Sequence, residues 1–262
     1  MTLSPLAGTF LGAALVLSAT AVTAEDVDPQ ADANVRQIST HMGEMIGEIP
    51  MRGTAEDSPD TLRFEPWQMI GEMFTRSDLV FLMRHGPTDW SKLDIKDVAP
   101  TDCANQRILS PEGAADMQNL GNLLATNDIA PGRIVVSEWC RNQQTLENLK
   151  VGFSEVDPDY ANSVQVETNA DLNLLLSLQG APDVVGLREL ISNWDGGDQT
   201  GPLLVVSHFT NIEELTNFSV FEGEVLVVDP KRENRVLGYL RLRSAEPDVG
   251  HFDVAVEAGP AN

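Results

Sequence analysis

The 262-residue sequence is poor in positive charge, aromatic side chains and cysteine. Its 17 lysines and arginines are outnumbered by 40 aspartates and glutamates, which gives a formal net charge of −23. Nucleic acids and anionic membranes are bound by basic surfaces, so this balance argues against both as general partners. A site for an anion must therefore gather its few arginines in one place. Solubility in a medium whose salt screens the repulsion explains the acidic surface itself.

The chain has only two cysteines, Cys103 and Cys140. Two thiols are too few for a zinc site, which takes four ligands, and the sequence predicts neither a metal nor a cofactor. In an oxidising compartment two cysteines can form one disulfide, whereas two cytosolic cysteines are more often free or catalytic. If they pair, the closed loop constrains the unfolded chain by roughly 4 kcal/mol in the chain-entropy model.

Charged side chains are also missing from the first 24 positions. Residues 6–21 are apolar or small, and Val22-Thr23-Ala24 precedes an acidic pair. This pattern is typical of a secretory signal peptide cleaved after Ala24, and it predicts a periplasmic or extracellular protein. The alternative is an uncleaved anchor, which the short stretch rich in Gly, Ala, Ser and Thr disfavours. No later segment is expected to insert stably in a membrane.

The remaining sequence predicts three regions: a helical extension over 25–76, one α/β domain over 77–245 and a tail over 246–262. In the extension, apolar residues at helical spacing predict a helix over 35–49, and Pro66 suits the first turn of a second. In the domain, buried strands alternate with helices. The predicted fold is a three-layer α/β/α sandwich with a mainly parallel sheet.

Three apolar runs of the domain, at 79–83, 134–136 and 203–206, are followed by basic side chains. The carboxyl ends of parallel strands meet at one edge of a sheet, where open α/β sheets bind their ligands. We therefore expect the basic residues after these runs to converge on one crevice. They are Arg84, His85, Arg141 and His208.

Two arginines and two histidines in one crevice suit phosphoryl transfer. Guanidinium groups can bind the equatorial oxygens of a phosphoryl group. A neutral histidine can attack phosphorus, and a second can stabilise developing charge and help activate water. A single histidine after a strand is more often a hydrogen-bonded structural residue. The coincidence of all four residues at strand ends favours a site.

Four stretches resemble the histidine phosphatase superfamily, whose fold is phosphoglycerate mutase-like, and they occur in the family's order. The resemblance implies that His85 is the nucleophile that becomes phosphohistidine. It also implies that Arg84, Arg141 and His208 complete the phosphate pocket. The matching stretches are Met83–Trp90 (MRHGPTDW), Leu109–Gly113 (LSPEG), Ser137–Thr145 (SEWCRNQQT) and Val205–His208 (VVSH).

Residues 102–110 and 208–212 are similar to an exported bacterial branch that includes lipopolysaccharide core heptose phosphatases. The resemblance implies three candidate substrate contacts, Ser91, Arg107 and Asn211. For Arg107 a surface salt bridge is the alternative. A bond between Cys103 and Cys140 would tie the long polar loop over 87–107 to the residue beside Arg141.

The sequence departs from the family where relatives carry the acid that protonates the leaving group. A common family pattern is Leu-x-Glu, and here Leu172-Asn173-Leu174 stands in that region. Another branch places an acid directly after the second histidine, a position taken here by Phe209. Glu167 and Asp171 are candidate acids, unless they cap or solvate a helix predicted over 171–178. An absent acid would favour good leaving groups such as acyl phosphates, phosphohistidine or pyrophosphates.

The sequence therefore predicts an exported phosphohydrolase that acts on a small phosphorylated substrate through phosphohistidine at His85, without a metal. The alternative is an inactive protein of the same fold that binds phosphate or a sugar phosphate. A nucleophile beside the arginines favours the enzyme, because binding alone does not need one.

Overall fold

A computed structural model describes five stretches of the chain, namely residues 36–37, 47–50, 61–65, 69–197 and 199–247. The predicted signal peptide over 1–24 and most of the predicted tail lie outside these residues. Within the described stretches, no helix is long and apolar enough to cross a membrane.

The described residues contain nine strands that form one sheet in the order β2-β3-β9-β8-β4-β7-β5-β6, with β1 beside β9. The strands are β1 Arg36–Gln37, β2 Gly47–Pro50, β3 Thr61–Glu65, β4 Val80–Arg84, β5 Arg133–Val136, β6 Gln165–Thr168, β7 Leu203–Ser207, β8 Val225–Asp229 and β9 Arg235–Leu242.

Helices cover both faces of this sheet. They are α1 Ile70–Met73, α2 Pro111–Thr126, α3 Cys140–Val156, α4 Pro158–Ser163, α5 Val185–Ser192 and α6 Phe209–Thr216. Short 3-10 helices lie at Cys103–Asn105, Ala170–Leu172 and Pro230–Arg232.

The central strand β4 shows why its sequence is a continuous apolar run. All five of its residues are buried, because both faces of the sheet are covered. Phe81 and Met83 belong to a core cluster with residues of α2 and α3, whereas Val80 and Leu82 belong to a second cluster with residues of α5 and α6. The predicted three-layer α/β/α architecture is confirmed.

The sheet is mixed and not mainly parallel: it is parallel where it carries the predicted crevice, β1 lies parallel to β9, and the other pairs are antiparallel. Strands β4, β7, β5 and β6 are mutually parallel. Strand β8 runs antiparallel to both β4 and β9, and β3 runs antiparallel to β9. The turn between β8 and β9 is short and uses positive φ at Glu233 (60°) and Asn234 (54°), which closes a hairpin. A parallel pair would need a crossover of a dozen or more residues.

The helix predicted over 35–49 is wrong at its described positions. Arg36–Gln37 is strand β1 and Gly47–Pro50 is strand β2. Strand β3 then pairs with β9, so the predicted helical extension supplies strands to the sheet. Unpaired N–H and C=O groups along a sheet edge are satisfied by added strands, and this pairing overrides the apolar spacing. The second predicted helix is present as the single turn α1.

The helix predicted over 171–178 is also wrong, because only the 3-10 turn Ala170–Leu172 forms. The chain leaves that turn at Asn173, whose backbone is extended (φ −66°, ψ 156°). The side chain of Asn173 is buried and accepts from Ser137 Oγ at 2.9 Å and from the Glu138 N–H at 3.0 Å. These bonds to the exit of β5 favour the extended path over a longer helix.

Candidate active site

The exits of three parallel strands bring the predicted basic residues together. Arg84 ends β4, His85 follows it, and Arg141 lies in the first turn of α3 after β5. His208 is the N-cap residue of α6, directly after β7. All four side chains are buried, and the His85 and His208 ring centroids lie 5.6 Å apart. The convergence predicted from the sequence is observed.

The imidazole of His85 has a defined tautomer. Its Nδ1 lies 3.0 Å from the Gly86 carbonyl oxygen, which only accepts, so Nδ1 carries the hydrogen and Nε2 has the lone pair. Burial lowers the pKa of His85 well below its ordinary value, and the nearby charges of Arg141 and Arg84 lower it further. His85 is therefore neutral and presents Nε2 as a nucleophile.

Gly86 and Thr145 connect this loop to α3. The Gly86 N–H donates to Thr145 Oγ1 at 2.8 Å, and that hydroxyl donates to the Arg141 carbonyl at 2.7 Å. A Cβ at Gly86 would lie 2.5 Å from Met117 Cγ, so a side chain does not fit there without a shift. The Thr145 hydroxyl therefore links the segment after β4, which carries His85, to the first turn of α3, which carries Arg141.

Ser137 fixes the orientation of His208. The single hydrogen of Ser137 Oγ goes to Asn173 Oδ1 at 2.9 Å, so Oγ accepts from His208 Nε2, which lies 3.1 Å away. The amide orientation of Asn173 is set by its Nδ2, which donates to Glu138 Oε2 at 2.7 Å. Nδ1 of His208 is buried and has no hydrogen-bond partner among the described residues. It is the ring atom left for a ligand or a water.

Burial of His208 makes stability depend on pH. Its pKa in the fold lies well below the ordinary value of 6.5, because of burial first and then the charges of Arg141, Arg84 and Arg107. The unfolded chain therefore binds the proton first, and this contribution to stability is present above about pH 6.5 and lost below it. Burial raises the pKa of Glu224 to about 7, which gives a contribution of opposite sign.

We expect His208→Gln to lower the slope of unfolding free energy against pH by up to about 1.4 kcal/mol per pH unit between about pH 5 and 6.5. Denaturant titrations of both proteins across this range measure the slope. The comparison cancels the contribution of Glu224, which both proteins share. Equal slopes in the two proteins would show that the fold does not lower the pKa of His208.

Arg84 is the most deeply buried guanidinium of the site. Its NH1 donates to the Val220 carbonyl at 2.8 Å, and its NH2 lies 3.4 Å from Glu222 Oε1. The Phe209 ring centroid lies 5.0 Å from its guanidinium carbon. These contacts come from the segment between α6 and β8 and from the residue after His208, so the position of Arg84 depends on both.

Arg141 is held by a different acid. Its NH1 lies 3.2 and 3.1 Å from the two carboxylate oxygens of Asp94, and 3.5 Å from the Arg107 carbonyl. Its guanidinium carbon lies 4.8 Å from the Trp139 ring centroid. Burial lowers the pKa of Arg141 to about 10, against the opposing effect of Asp94, so the side chain is charged at neutral pH.

Glu222 is a site residue that the sequence did not single out. Its carboxylate accepts from the Thr88 N–H at 3.0 Å, from Thr88 Oγ1 at 2.6 Å and from Trp90 Nε1 at 3.3 Å. Its Oε1 also lies 3.4 Å from Arg84 NH2 and 3.9 Å from Arg107 NH2. The signal that could have found it is two acids, Glu222 and Glu224, directly before a buried apolar strand.

Arg107 and Asn211 are both buried, but only Arg107 joins the site. The Arg107 guanidinium carbon lies 3.5 Å from the Trp90 ring centroid, and its contact with Glu222 replaces the surface salt bridge considered above. Asn211 Nδ2 donates to the Asn173 carbonyl at 2.8 Å and its Oδ1 accepts from the Leu175 N–H at 3.1 Å. Asn211 therefore positions the loop beside Ser137.

The structure does not bring Ser91, Glu167 or Asp171 to the crevice. Ser91 is exposed, and its hydroxyl donates to Asp89. Glu167 is exposed on β6 and pairs with Arg133, which begins β5 at the opposite end from the crevice. Asp171 is exposed beside α5. Neither candidate acid contacts a crevice residue within the described part of the chain.

Cys103 and Cys140 form a disulfide with a Cα–Cα distance of 5.4 Å, which confirms the predicted pair. The bond ties the loop over 87–107 to the first residue of α3. Gln106 adds to this attachment, because its Oε1 accepts from the Cys140 N–H at 3.2 Å and its Nε2 donates to the Ala99 carbonyl at 2.8 Å. The loop is therefore anchored beside Arg141.

Replacing both cysteines, Cys103→Ser with Cys140→Ser, is expected to lower the free energy of unfolding. The bond spans 37 positions, and a loop of this size accounts for roughly 2–4 kcal/mol. Denaturant unfolding of the variant, beside wild type with and without a thiol reductant, measures the change. The reduced wild type should match the variant, and equal stability of all three samples would contradict the prediction.

The α/β sandwich carries a neutral histidine and buried guanidinium groups in one crevice, an arrangement suited to binding a phosphoryl group. Residues 80–163, from the start of β4 to the end of α4, match the model of the histidine phosphatase superfamily (branch 1). This segment contains Arg84, His85 and Arg141. Over these residues the sequence is similar to the histidine phosphatase superfamily, and the match supports a phosphatase.

Several solved structures are similar to the chain at low identity. The protein histidine phosphatase SixA complexed with tungstate is 19% identical with a TM-score of 0.45, over 62% of this chain and 96% of SixA. The alpha-ribazole phosphatase from Shigella flexneri is 17% identical with a TM-score of 0.36, over 58% of this chain and 90% of that one. A mycobacterial glucosyl-3-phosphoglycerate phosphatase is 20% identical with a TM-score of 0.34, over 52% and 76%. No curated protein sequence matches the chain.

Proposed function

We propose that this protein is an exported phosphohydrolase that works through a phosphohistidine on His85 and needs no metal. The observation that carries the proposal is the neutral His85, with Nδ1 fixed on the Gly86 carbonyl and Nε2 left as the nucleophile. Arg84 and Arg141 flank it in the same buried crevice, where charge-assisted hydrogen bonds to an oxyanion are strong.

In the first step, His85 Nε2 attacks phosphorus of a small phosphorylated substrate. A bond forms between nitrogen and phosphorus, and the bond to the leaving group breaks with its electron pair. The guanidinium groups of Arg84 and Arg141 stabilise the negative charge of the equatorial oxygens. Both side chains are buried, so little reorganisation is needed during the chemical step once the substrate is bound.

In the second step, water attacks the phosphohistidine, the nitrogen–phosphorus bond breaks and its electron pair returns to Nε2. Inorganic phosphate leaves. His208 Nδ1 supports this step, because it carries a lone pair in the tautomer set by Ser137 and is unpartnered among the described residues. It can take the proton of the attacking water, and the resulting cation can then hold a phosphoryl oxygen.

The placement of the acids supports substrates with good leaving groups. Glu167 and Asp171 are exposed and form no hydrogen bond or ion pair with a crevice residue of the described chain, and Glu222 is engaged by Thr88, Trp90 and Arg84. A leaving group that needs little protonation suits such a site. We include acyl phosphates, phosphohistidine and pyrophosphates in the proposed substrate class.

The proposed location outside the cytoplasm has two supports. The first 24 residues have the pattern of a signal peptide, and the chain has a disulfide of the kind that persists in oxidising compartments. A bacterial periplasmic or extracellular location follows. The similarity to an exported bacterial branch stays a prediction.

The proposal is tested by incubating the full exported chain, with a metal chelator present, with an activated aryl phosphate and with an alkyl phosphate monoester. We expect chelator-resistant release of phosphate from both, and much faster release from the aryl ester. If the protein binds inorganic phosphate but turns over neither ester, the alternative of a phosphate-binding protein replaces the enzyme. Loss of activity in chelator would contradict the metal-free mechanism.

A further inference from the structure

The loop over 87–107 places a carboxylate on one of the phosphate-binding arginines. Both oxygens of Asp94 lie within 3.2 Å of Arg141 NH1, and Oδ1 also accepts from the Arg107 N–H at 2.7 Å. A carboxylate and a phosphoryl group present similar oxygens to a guanidinium. Asp94 therefore occupies a donor that the proposed substrate also requires.

The side chains of the crevice are deeply buried. Arg84, His85, Arg141 and His208 are each at most 2% exposed. Two residues of the loop contact the crevice. Trp90 contacts Glu222 and Arg107, and Asp94 forms an ion pair with Arg141.

The balance of charges in the crevice favours release of Asp94 from Arg141 when a phosphoryl group binds. Arg84, Arg107 and Arg141 bring three positive charges, while Glu222 and Asp94 bring two negative ones, and both histidines are neutral. A phosphoryl dianion added to this set leaves a net negative buried site. If Asp94 withdraws, three arginines balance Glu222 and the dianion. Burial penalises an uncompensated charge, so displacement is the favourable outcome.

The exposed position of Asp94 allows its carboxylate to move away from Arg141. Its side chain is 26% exposed, whereas that of Arg141 is 3% exposed, so the acid can return to water while the arginine stays. Its neighbours Leu93 and Ile95 are 78% and 56% exposed, so neither is buried in the core. The disulfide holds the loop at Cys103, nine positions further along the chain, so a movement around Asp94 leaves the loop attached.

We propose that Asp94 is an internal competitor for the phosphoryl site, which sets the affinity for substrate and for the product phosphate. Its carboxylate bonds to Arg141, and a phosphoryl group must displace it to bind the same guanidinium. This inference rests on the proposed function, because it requires Arg141 to bind phosphoryl oxygens. It adds a residue that no family motif in this chain contains.

The test is the affinity of Asp94→Asn for inorganic phosphate, measured by titration calorimetry, with KM and kcat for an aryl phosphate. The amide keeps an acceptor for the Arg107 N–H but loses the charge that holds Arg141. We expect phosphate to bind roughly tenfold more tightly and KM to fall by a similar factor, since bonds to charged groups have about that strength. We expect kcat to stay the same or fall as phosphate leaves more slowly.

The matched control is Asp97→Asn, which removes the same charge from the same loop. Asp97 is exposed and has positive φ (61°), a conformation that asparagine tolerates as well as aspartate. We expect its phosphate affinity to stay within twofold of wild type. An equal gain in both variants would show that the overall charge, and not the contact with Arg141, is responsible, and would overturn the proposal.

Two other results separate this inference from the proposed function. If wild type binds phosphate and hydrolyses the ester, but Asp94→Asn binds phosphate equally or more weakly, the competitor role is wrong and the enzyme stands. A large fall in kcat at unchanged KM would likewise replace it with a catalytic role for Asp94. If neither protein binds phosphate nor turns over the ester, the proposed function fails and the inference fails with it.

Discussion

His85→Ala is expected to abolish turnover of an activated aryl phosphate, with kcat/KM lower by on the order of 10⁴-fold or more, because the nucleophile is removed. The effect is large because Nε2 is the protein atom that bonds to phosphorus in the proposed mechanism. The neutral state and the fixed tautomer of His85 both serve that bond. Wild-type protein mixed with a ³²P-labelled substrate should also yield an acid-labile phosphoprotein, and the variant should yield none.

The control for this prediction is phosphate binding. Arg84 and Arg141 are held by Glu222, Val220 and Asp94, not by His85, so the variant should bind inorganic phosphate within a few-fold of wild type. A second variant, His85→Asn, keeps a polar group of smaller size in case alanine disturbs the buried crevice. Hydrolysis that survives in both variants would remove His85 from the role of nucleophile.

The crevice was predictable because its four basic residues follow strands whose direction the sequence also predicts. The apolar runs before Arg84 and His208 are long enough to mark buried strands, and alternation with helices makes those strands parallel. Parallel strands place their carboxyl ends together whatever their distance along the chain. Cys140 directly precedes Arg141 in the sequence, so the disulfide fixes the loop over 87–107 beside that arginine.

Glu222 and Asp94 were not predictable, because each reaches the crevice through structure that sequence periodicity does not describe. Glu222 arrives because β8 runs antiparallel to β4, which brings the start of β8 to the carboxyl end of β4. Asp94 arrives on a long loop, which the disulfide and Gln106 attach to the start of α3. Acids in an acidic chain give no local signal that distinguishes a partner of a buried arginine from a solvated side chain.

The wrong prediction of a helix in the N-terminal extension has a related cause. A helical spacing of apolar residues predicted one helix over 35–49, but the free edge of the β8–β9 hairpin recruits strands from this segment and from β3. Whether a segment pairs as a strand depends on the neighbouring strand of the sheet, and the spacing of apolar residues within the segment does not predict it. The same holds for Asn173, whose bonds to Ser137 and Glu138 end a helix that the sequence favours.

Glu222→Ala is expected to lower the free energy of unfolding by roughly 3–5 kcal/mol, the usual cost of removing one partner from a buried ion pair. The carboxylate is the counter-charge for Arg84, which is fully buried, and for Arg107, which is 10% exposed. It also accepts from the Thr88 N–H and hydroxyl, which would lose their acceptor. We expect hydrolysis to fall as well, since Arg84 would lose its fixed position, and added phosphate to restore part of the stability by supplying a new counter-charge.

Glu224→Ala is the matched control, because Glu224 is equally buried and lies two positions away. Its partner Arg241 is 19% exposed and can be hydrated when the acid is removed. The pKa of Glu224 is raised to about 7 by burial, so near neutral pH this residue is partly protonated and its charge contributes less. Both substitutions remove the same atoms, and denaturant unfolding at pH 7 should show a clearly smaller loss for Glu224→Ala. Equal losses would mean that the cavity accounts for the cost, and Glu222 would then have no special role in holding Arg84 beside His85.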